Sequence, residues 1–217
     1  MKVSLIAFCG AKESGKSTSA ELFKTLINGI QVKEVAFAGH LKETCSKVFN
    51  VEMKYFLDPK LKERELENYV RLTTETIEQV FTEFAITEYN FDQHIRPHLS
   101  QVFDTPRKLL QYVGTELLHP LDKLIHVNYA LRSVDTSKIT LVTDLRFPQE
   151  FDVLNGKPEY LLVHVSNLKA EANAATDTHP SEQGWKYFKE KCVSLDNNGT
   201  LADLTTNLQR LIESRVK

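Results

Sequence analysis

No run in the 217 residues approaches the ~20 consecutive apolar positions that a membrane-spanning helix requires. The apolar run "VSLIAF" is too short for the hydrophobic region of a signal peptide, has no cleavage site behind it and leads directly into a polar loop. A cytoplasmic protein without membrane association is expected. Cysteine is scarce: Cys9, Cys45 and Cys192 are scattered, odd in number and free of any C-x-x-C pair, which excludes a disulfide framework and speaks against zinc. They read as small buried residues in a reducing compartment. A basic surplus is also missing. The formal net charge of −2 offers no general surface for nucleic acid. Internal repeats and low-complexity tracts are absent. What remains is a chain that is 41% hydrophobic, enough to bury the core of one α/β domain with an elaboration.

The polar loop carries the strongest signal. "GAKESGKST", residues 10–18, satisfies G-x-x-x-x-G-K-[ST], a phosphate-binding loop. Gly10 and Gly15 permit backbone angles that let successive N–H groups turn around phosphate oxygens, with Ala11, Lys12, Glu13 and Ser14 between them. The helix that follows directs its unpaired N–H groups and positive dipole end at the same anion. Lys16 is expected at the β and γ phosphates, the Ser17 hydroxyl on Mg²⁺ and Thr18 near the α phosphate of a bound nucleoside triphosphate. Context supports the motif, because a strand of apolar residues precedes it and "STSAELFKTLI" reads as a helix after it.

Strand-like runs at 2–8, 33–38, 138–143, 160–165 and 192–195 alternate with helical patterns at 16–28, 39–49, 106–117, 120–133, 181–190 and 200–215. The alternation predicts a P-loop α/β fold with a mostly parallel five-stranded sheet covered by helices on both faces. About a hundred residues separate the second and third strands, far more than a crossover needs. Within them Leu66, Val70, Ile77, Phe81 and Phe84 recur at helical spacing and predict an amphipathic helix over about 60–88. A single kinase-type domain over 1–217 is expected, with a helical insert at 50–104 over the active site and a lid-like segment at 166–182.

A phosphate loop does not name a reaction. A switch GTPase needs N-K-x-D, which is missing, and an AAA-type subunit needs a helical lid domain for which there is little room. A small-molecule kinase needs a second anion site, and three segments offer one. In "TPRKLLQYVGTELLH", residues 105–119, Thr105 suits a helix cap and Pro106 the first turn. Arg107 and Gln111 then share a face four residues apart, joined by Lys108, so that a guanidinium on phosphate and an amide on a base edge can act side by side. In "ITLVTDLRFPQE", residues 139–150, Asp144 falls at the carboxyl edge of a parallel strand, where it can hold magnesium or an acceptor nucleotide. Arg146 and Glu150 follow it. In "FAGHLKE", residues 37–43, small residues admit a ligand and Lys42 adds a cation.

In this order the loop, "FAGHLKE", "TPRKLLQYVGTE", "TDLRFPQE" and "THPSE" (178–182) resemble the phage-type deoxynucleoside monophosphate kinases of the P-loop nucleoside monophosphate kinase-like family. The resemblance implies transfer of the ATP γ-phosphoryl group to a deoxynucleoside 5′-monophosphate with Mg²⁺ as cofactor, in a host cytoplasm if phage-encoded. A homodimer is open. It assigns Ser14, Lys16, Ser17 and Thr18 to the ATP side, and Arg107, Lys108, Gln111, Gly114 and Thr115 to the acceptor helix. Asp144, Arg146 and Glu150 match the catalytic-edge motif, with Lys16, Arg107, Asp144 and Arg146 as the catalytic set, and Ser17 and Asp144 on the metal.

One departure stands out. Such kinases carry an arginine soon after the fourth strand; here "VSNLKAEANAATDTHPSE" offers only Lys169 and His179, and a single ammonium cannot fork onto phosphate. Arg96 in "HIRPH" is the other arginine that could serve. His40, His98 and His119 are expected to be local polar residues, since phosphoryl transfer needs alignment and charge neutralisation more than a covalent nucleophile. Two alternatives stay open: a P-loop kinase for another phosphorylated metabolite, such as dephospho-coenzyme A or phosphomevalonate, and a regulatory module that binds ATP without turnover.

Overall fold

The computed structural model describes residues 3–132, 134–176 and 183–216. They form two compact units, Met1–Phe37 with Ala130–Lys217, and Ala38–Tyr129.

The first unit is built on five strands: β1 (Leu5–Cys9), β2 (Val32–Val35), β5 (Ile139–Val142), β6 (Tyr160–Ser166) and β7 (Val193–Asp196), in the order β2-β5-β1-β6-β7. Every pairing is parallel. All five strands predicted from the alternation are present. Central β1 is buried along its length, as expected of a parallel strand covered on both faces. Ile6 and Phe8 join a core with Phe23 of helix α1 (Lys16–Leu26) and with Leu204, Leu208 and Ile212 of the helix Leu201–Arg215. Leu5, Ala7 and Cys9, equally buried, point to the opposite face by the two-residue period. The helices Pro148–Leu154 and Trp185–Phe188 meet through Phe151 and Phe188, stacked with centroids 5.5 Å apart. Among the described residues no helix is long and apolar enough to cross a membrane.

The second unit holds α2 (Gly39–Phe49), the two-stranded antiparallel ribbon of β3 (Val70–Arg71) and β4 (Val102–Phe103), and several short helices. Its core gathers Leu41, Cys45, Phe56, Ile77, Val80, Phe81, Ile95, Leu109 and Val113. The helix predicted over 60–88 is corrected here. Residues Leu61–Glu63 make a single tight turn, Val70–Arg71 is extended, and only Thr74–Glu83 is helical. Thr73 starts that helix with a reciprocal capping box: its hydroxyl accepts from the Thr76 N–H, and the Thr73 N–H donates to the Thr76 hydroxyl. Upstream, the Val70–Phe103 pairing and a bond from the Leu66 N–H to the Asp104 carbonyl hold the chain extended. Val70 is therefore buried from a strand, and its four-residue spacing from Leu66 is a coincidence of pattern. The helix predicted over 120–133 also starts late, at Ile125, because Pro120 and a turn stand in front of it.

Candidate functional site

In the first unit the loop after β1 turns on two glycines with φ values that other residues adopt at a cost, 145° at Gly10 and 101° at Gly15. A Cβ on Gly10 would stand 2.7 Å from both the Ser14 hydroxyl and the Val165 carbonyl. Helix α1 then begins at Lys16 behind Gly15, a residue with no side chain to cap it, and its positive dipole end faces the loop. The Lys16 ammonium folds over the loop and donates to the carbonyls of Gly10 at 2.9 Å and Ala11 at 2.6 Å. Ser14 is fully buried, whereas Lys12 and Glu13 stand at the exposed tip. Those two line a cavity of about 380 Å³ with Asn173, Ala174 and Thr176. Trp185 packs against the buried cluster of Ala11, Ala170 and Ala174.

Asp144 belongs to the same edge of the sheet. Two residues beyond the Ala7–Val142 pair it comes level with Cys9, where the loop departs. Its Oδ1 accepts from the Phe37 N–H at 2.8 Å, which ties the end of β2 to the end of β5. Arg146 follows on a turn that Glu150 closes from inside: one carboxylate oxygen accepts from the backbone N–H groups of Arg146 at 2.9 Å and Phe147 at 3.0 Å. Glu150 is only 3% exposed, and burial pushes its carboxyl up to about 8 against the pull of those two donors. It therefore shapes the Arg146 turn from behind. The backbone there is also crowded by Gly184, where a Cβ would fall 1.7 Å from the Arg146 carbonyl oxygen.

The same unit gathers groups that the sequence left apart. Cys9 and Cys192 bring their sulfurs to 3.5 Å. Burial first, and then Cys192, hold the Cys9 thiol well above its usual range, so it stays protonated and is a poor nucleophile. His164 is buried beside Glu171, whose carboxylate pairs with Lys189 at 2.6 Å. Sequence reading also passed over Asn197, which follows β7 and donates from its side chain to the Ser14 carbonyl of the loop. The run Asp196–Gly199 fits D-x-x-G in letters, a loose switch pattern, yet here it is the turn between β7 and the helix Leu201–Arg215. Lys169 is exposed on the helix Leu168–Ala174; His179 and the whole of "THPSE" lie outside the described residues.

In the second unit the helix expected at Pro106 is present. Thr105 caps it by accepting from the Lys108 N–H at 3.4 Å, and Pro106 occupies its first turn. From Tyr112 to Leu118 the helix widens into a π form that contains Gly114 and Thr115. Such widenings recur at functional sites. A Cβ on Gly114 would come within 2.9 Å of Leu41 of α2, the helix that carries Lys42. Arg107 donates from Nε to the Glu63 carboxylate, so its guanidinium already engages an anion. Lys108 pairs with Asp104 one turn back at 2.7 Å. Gln111 sits half-buried one turn after Arg107. His40 stacks on Tyr129 with centroids 3.8 Å apart and bonds to the Glu83 carbonyl, and His98 bonds to the Tyr112 hydroxyl at 2.9 Å. Arg96 forms an exposed pair with Asp92. Among the described residues no group of three or more His, Cys, Asp or Glu side chains could hold a metal.

Comparison with known proteins shows the family to which the chain belongs. Residues 68–208 match the family model "Deoxynucleotide monophosphate kinase". A protein of Acanthamoeba polyphaga mimivirus, provisionally named a deoxynucleotide monophosphate kinase, is 26% identical over 224 residues, covering 97% of this chain and 96% of its own. The deoxynucleoside-5′-monophosphate kinase of Escherichia phage T5 is 25% identical over 226 residues, covering 88% of this chain and 89% of its own. Among solved structures, TT1252 from Thermus thermophilus aligns at TM-score 0.42 and 15% identity over 99% of this chain and 98% of that one. Dephospho-CoA kinase from Campylobacter jejuni aligns at TM-score 0.43 and 13% identity over 100% and 98%.

Proposed function

Because the chain belongs to the deoxynucleotide monophosphate kinase family, we propose that it moves the γ-phosphoryl group of ATP to a deoxynucleoside 5′-monophosphate, giving the deoxynucleoside diphosphate and ADP. The observation that carries this reading is the glycine-turned loop, which offers Lys16 and the uncapped start of α1 to one anion. In the reaction an oxygen of the acceptor phosphate attacks the γ-phosphorus in line, and the bond to the bridging oxygen of ADP breaks. The attacking oxygen is already anionic, so no general base is required. The histidines that bond within the second unit are free to be structural.

Each side chain then has a task. The loop from Gly10 to Thr18 cradles the triphosphate, and Lys16 exchanges its carbonyl partners for β and γ oxygens. Arg107 takes two oxygens of the acceptor phosphate with its fork. Lys108 and Lys42 add positive charge, and Gln111 reads a base edge. Gly114 and Thr115 keep the acceptor helix close to α2. Arg146 neutralises charge on the transferred group, on a turn that Glu150 holds in shape. Ser17 and Asp144 suit magnesium: both offer hard oxygen donors, and an ion bound mainly by phosphates and water needs only one or two protein ligands. When bound, the ion neutralises phosphate charge. The 166–182 segment serves as the lid, with Lys169 as its cation, and keeps water from the γ-phosphorus. The 50–104 segment serves as the acceptor-side subdomain.

ADP release measured with ATP, magnesium and a panel of acceptors tests the proposal. Deoxynucleoside monophosphates should stimulate release well above the rate without acceptor. Equal release with and without acceptor, or stimulation by dephospho-coenzyme A alone, overturns it.

A further inference from the structure

The phosphate loop is held from outside through its Ser14 carbonyl. Asn197 donates its side-chain N–H to that oxygen at 2.8 Å, across 183 residues of sequence. Asn197 is itself fixed twice to the end of β6. Its backbone N–H donates to the Ser166 carbonyl at 2.9 Å, and its carbonyl accepts from the Asn167 side chain at 2.7 Å. The donor is therefore anchored on the sheet. The same contact gives Gly15 a second reason to lack a side chain, because a Cβ there would lie 2.3 Å from the Asn197 amide nitrogen.

A trans peptide is planar, and its C=O and N–H point in opposite directions. Holding the Ser14 oxygen toward Asn197 turns the Gly15 N–H the other way, immediately ahead of the uncapped start of α1. We propose that Asn197 is a positioning residue for the nucleotide's phosphate chain: it fixes the Ser14–Gly15 peptide so that the Gly15 N–H is directed at a phosphate oxygen. Glycine at 15 leaves that peptide few other restraints, since no Cβ limits its rotation. Without the amide the peptide samples other orientations, and the loop must order itself each time a phosphate binds. The cost falls on every ligand that carries the β phosphate, and not on the acceptor.

This inference rests on the loop being the nucleotide site, and the test separates the two. Calorimetric titration of ADP and of inorganic tripolyphosphate is done on the wild type, Asn197→Asp, Asn197→Ala and Asn198→Ala. Aspartate keeps the shape of asparagine but sets an acceptor against a carbonyl. Asn198 is the neighbouring control; it accepts from the Leu168 N–H and makes no bond to the phosphate loop. Both Asn197 variants should bind ADP roughly 5- to 150-fold more weakly, the range for stranding one buried hydrogen-bonding partner. Tripolyphosphate should weaken by the same factor, Asn198→Ala should match the wild type, and the KM for the acceptor should hold. Melting curves identify folded samples, and Asn197→Ser replaces either variant that does not fold. Unchanged ADP affinity in folded Asn197 variants overturns the inference. Weaker ADP with unchanged tripolyphosphate also overturns it, because the residue would then act on the base. A wild type that binds neither ligand sinks the nucleotide site itself.

Discussion

Two helices in this protein begin beside residues proposed to meet phosphate, and they begin in opposite ways. Helix α1 starts after Gly15, which has no side chain with which to cap it. The helix at Pro106 starts with two of its first three positions accounted for: Thr105 takes the Lys108 N–H, and proline has no N–H to offer. Open backbone N–H groups give a helix start an attraction for anions. The capped start has less of it left, so at that helix the proposed phosphate contact falls to the Arg107 guanidinium, which here engages Glu63. Backbone binding suits a ligand part common to all nucleotides; side-chain binding can be tuned to one acceptor.

The largest expected break comes at the uncapped start. Lys16→Ala removes an ammonium proposed to meet the transferred charge, and kcat should fall by about 10²–10³-fold, the scale of losing one preorganised electrostatic contact. The melting temperature should stay near that of the wild type. A folded variant with near-normal turnover would remove the loop from the mechanism.

At the capped start the effect should be smaller and confined to the acceptor. Arg107→Lys keeps the charge but loses the fork, and Arg107→Ala loses both. The kcat/KM for the monophosphate should drop roughly 10- to 150-fold, with alanine the worse, while ATP affinity measured without acceptor holds. If ATP affinity falls instead, the two helix starts have been given each other's ligands.

The smallest effect sharpens the contrast. Thr105→Ala strips the cap, at a cost of about 1 kcal/mol. In a chain of this size that lowers the melting temperature by about 2–4 °C. Acceptor kinetics should remain close to wild type, because Arg107 keeps its fork. A collapse of acceptor binding would mean that the cap itself belongs to the anion site.

How much of this was legible follows from distance along the chain. The loop, its glycines and Lys16 form one local pattern, and the five strands are long enough for their apolar runs to stand out. In the second unit the elements are often two to four residues long, and extended pieces such as Val70–Arg71 depend on partners some thirty residues away. There a period of four misled, since burial came from a ribbon and not from a helix. The contacts that refine the site are longer still. Asn197 with Ser14 and Cys9 with Cys192 each join residues 183 apart, and Arg107 meets Glu63 across 44. No spacing rule reaches that far. Glu150 was found for its charge, but only its burial reveals that it serves the turn beneath Arg146.

The order of strands also sets a timetable for synthesis. β1 and β2 leave the ribosome first, yet they never pair with one another; β5 lies between them and arrives about a hundred residues after β2. β1 must wait for β5 and β6, while the continuous stretch Ala38–Tyr129 is finished before either appears. Nascent chains will therefore carry a phosphate loop whose strand has no neighbours, with an apolar surface that a chaperone could shield. Closing the sheet demands pairing over long loops, which makes it the slow step of folding.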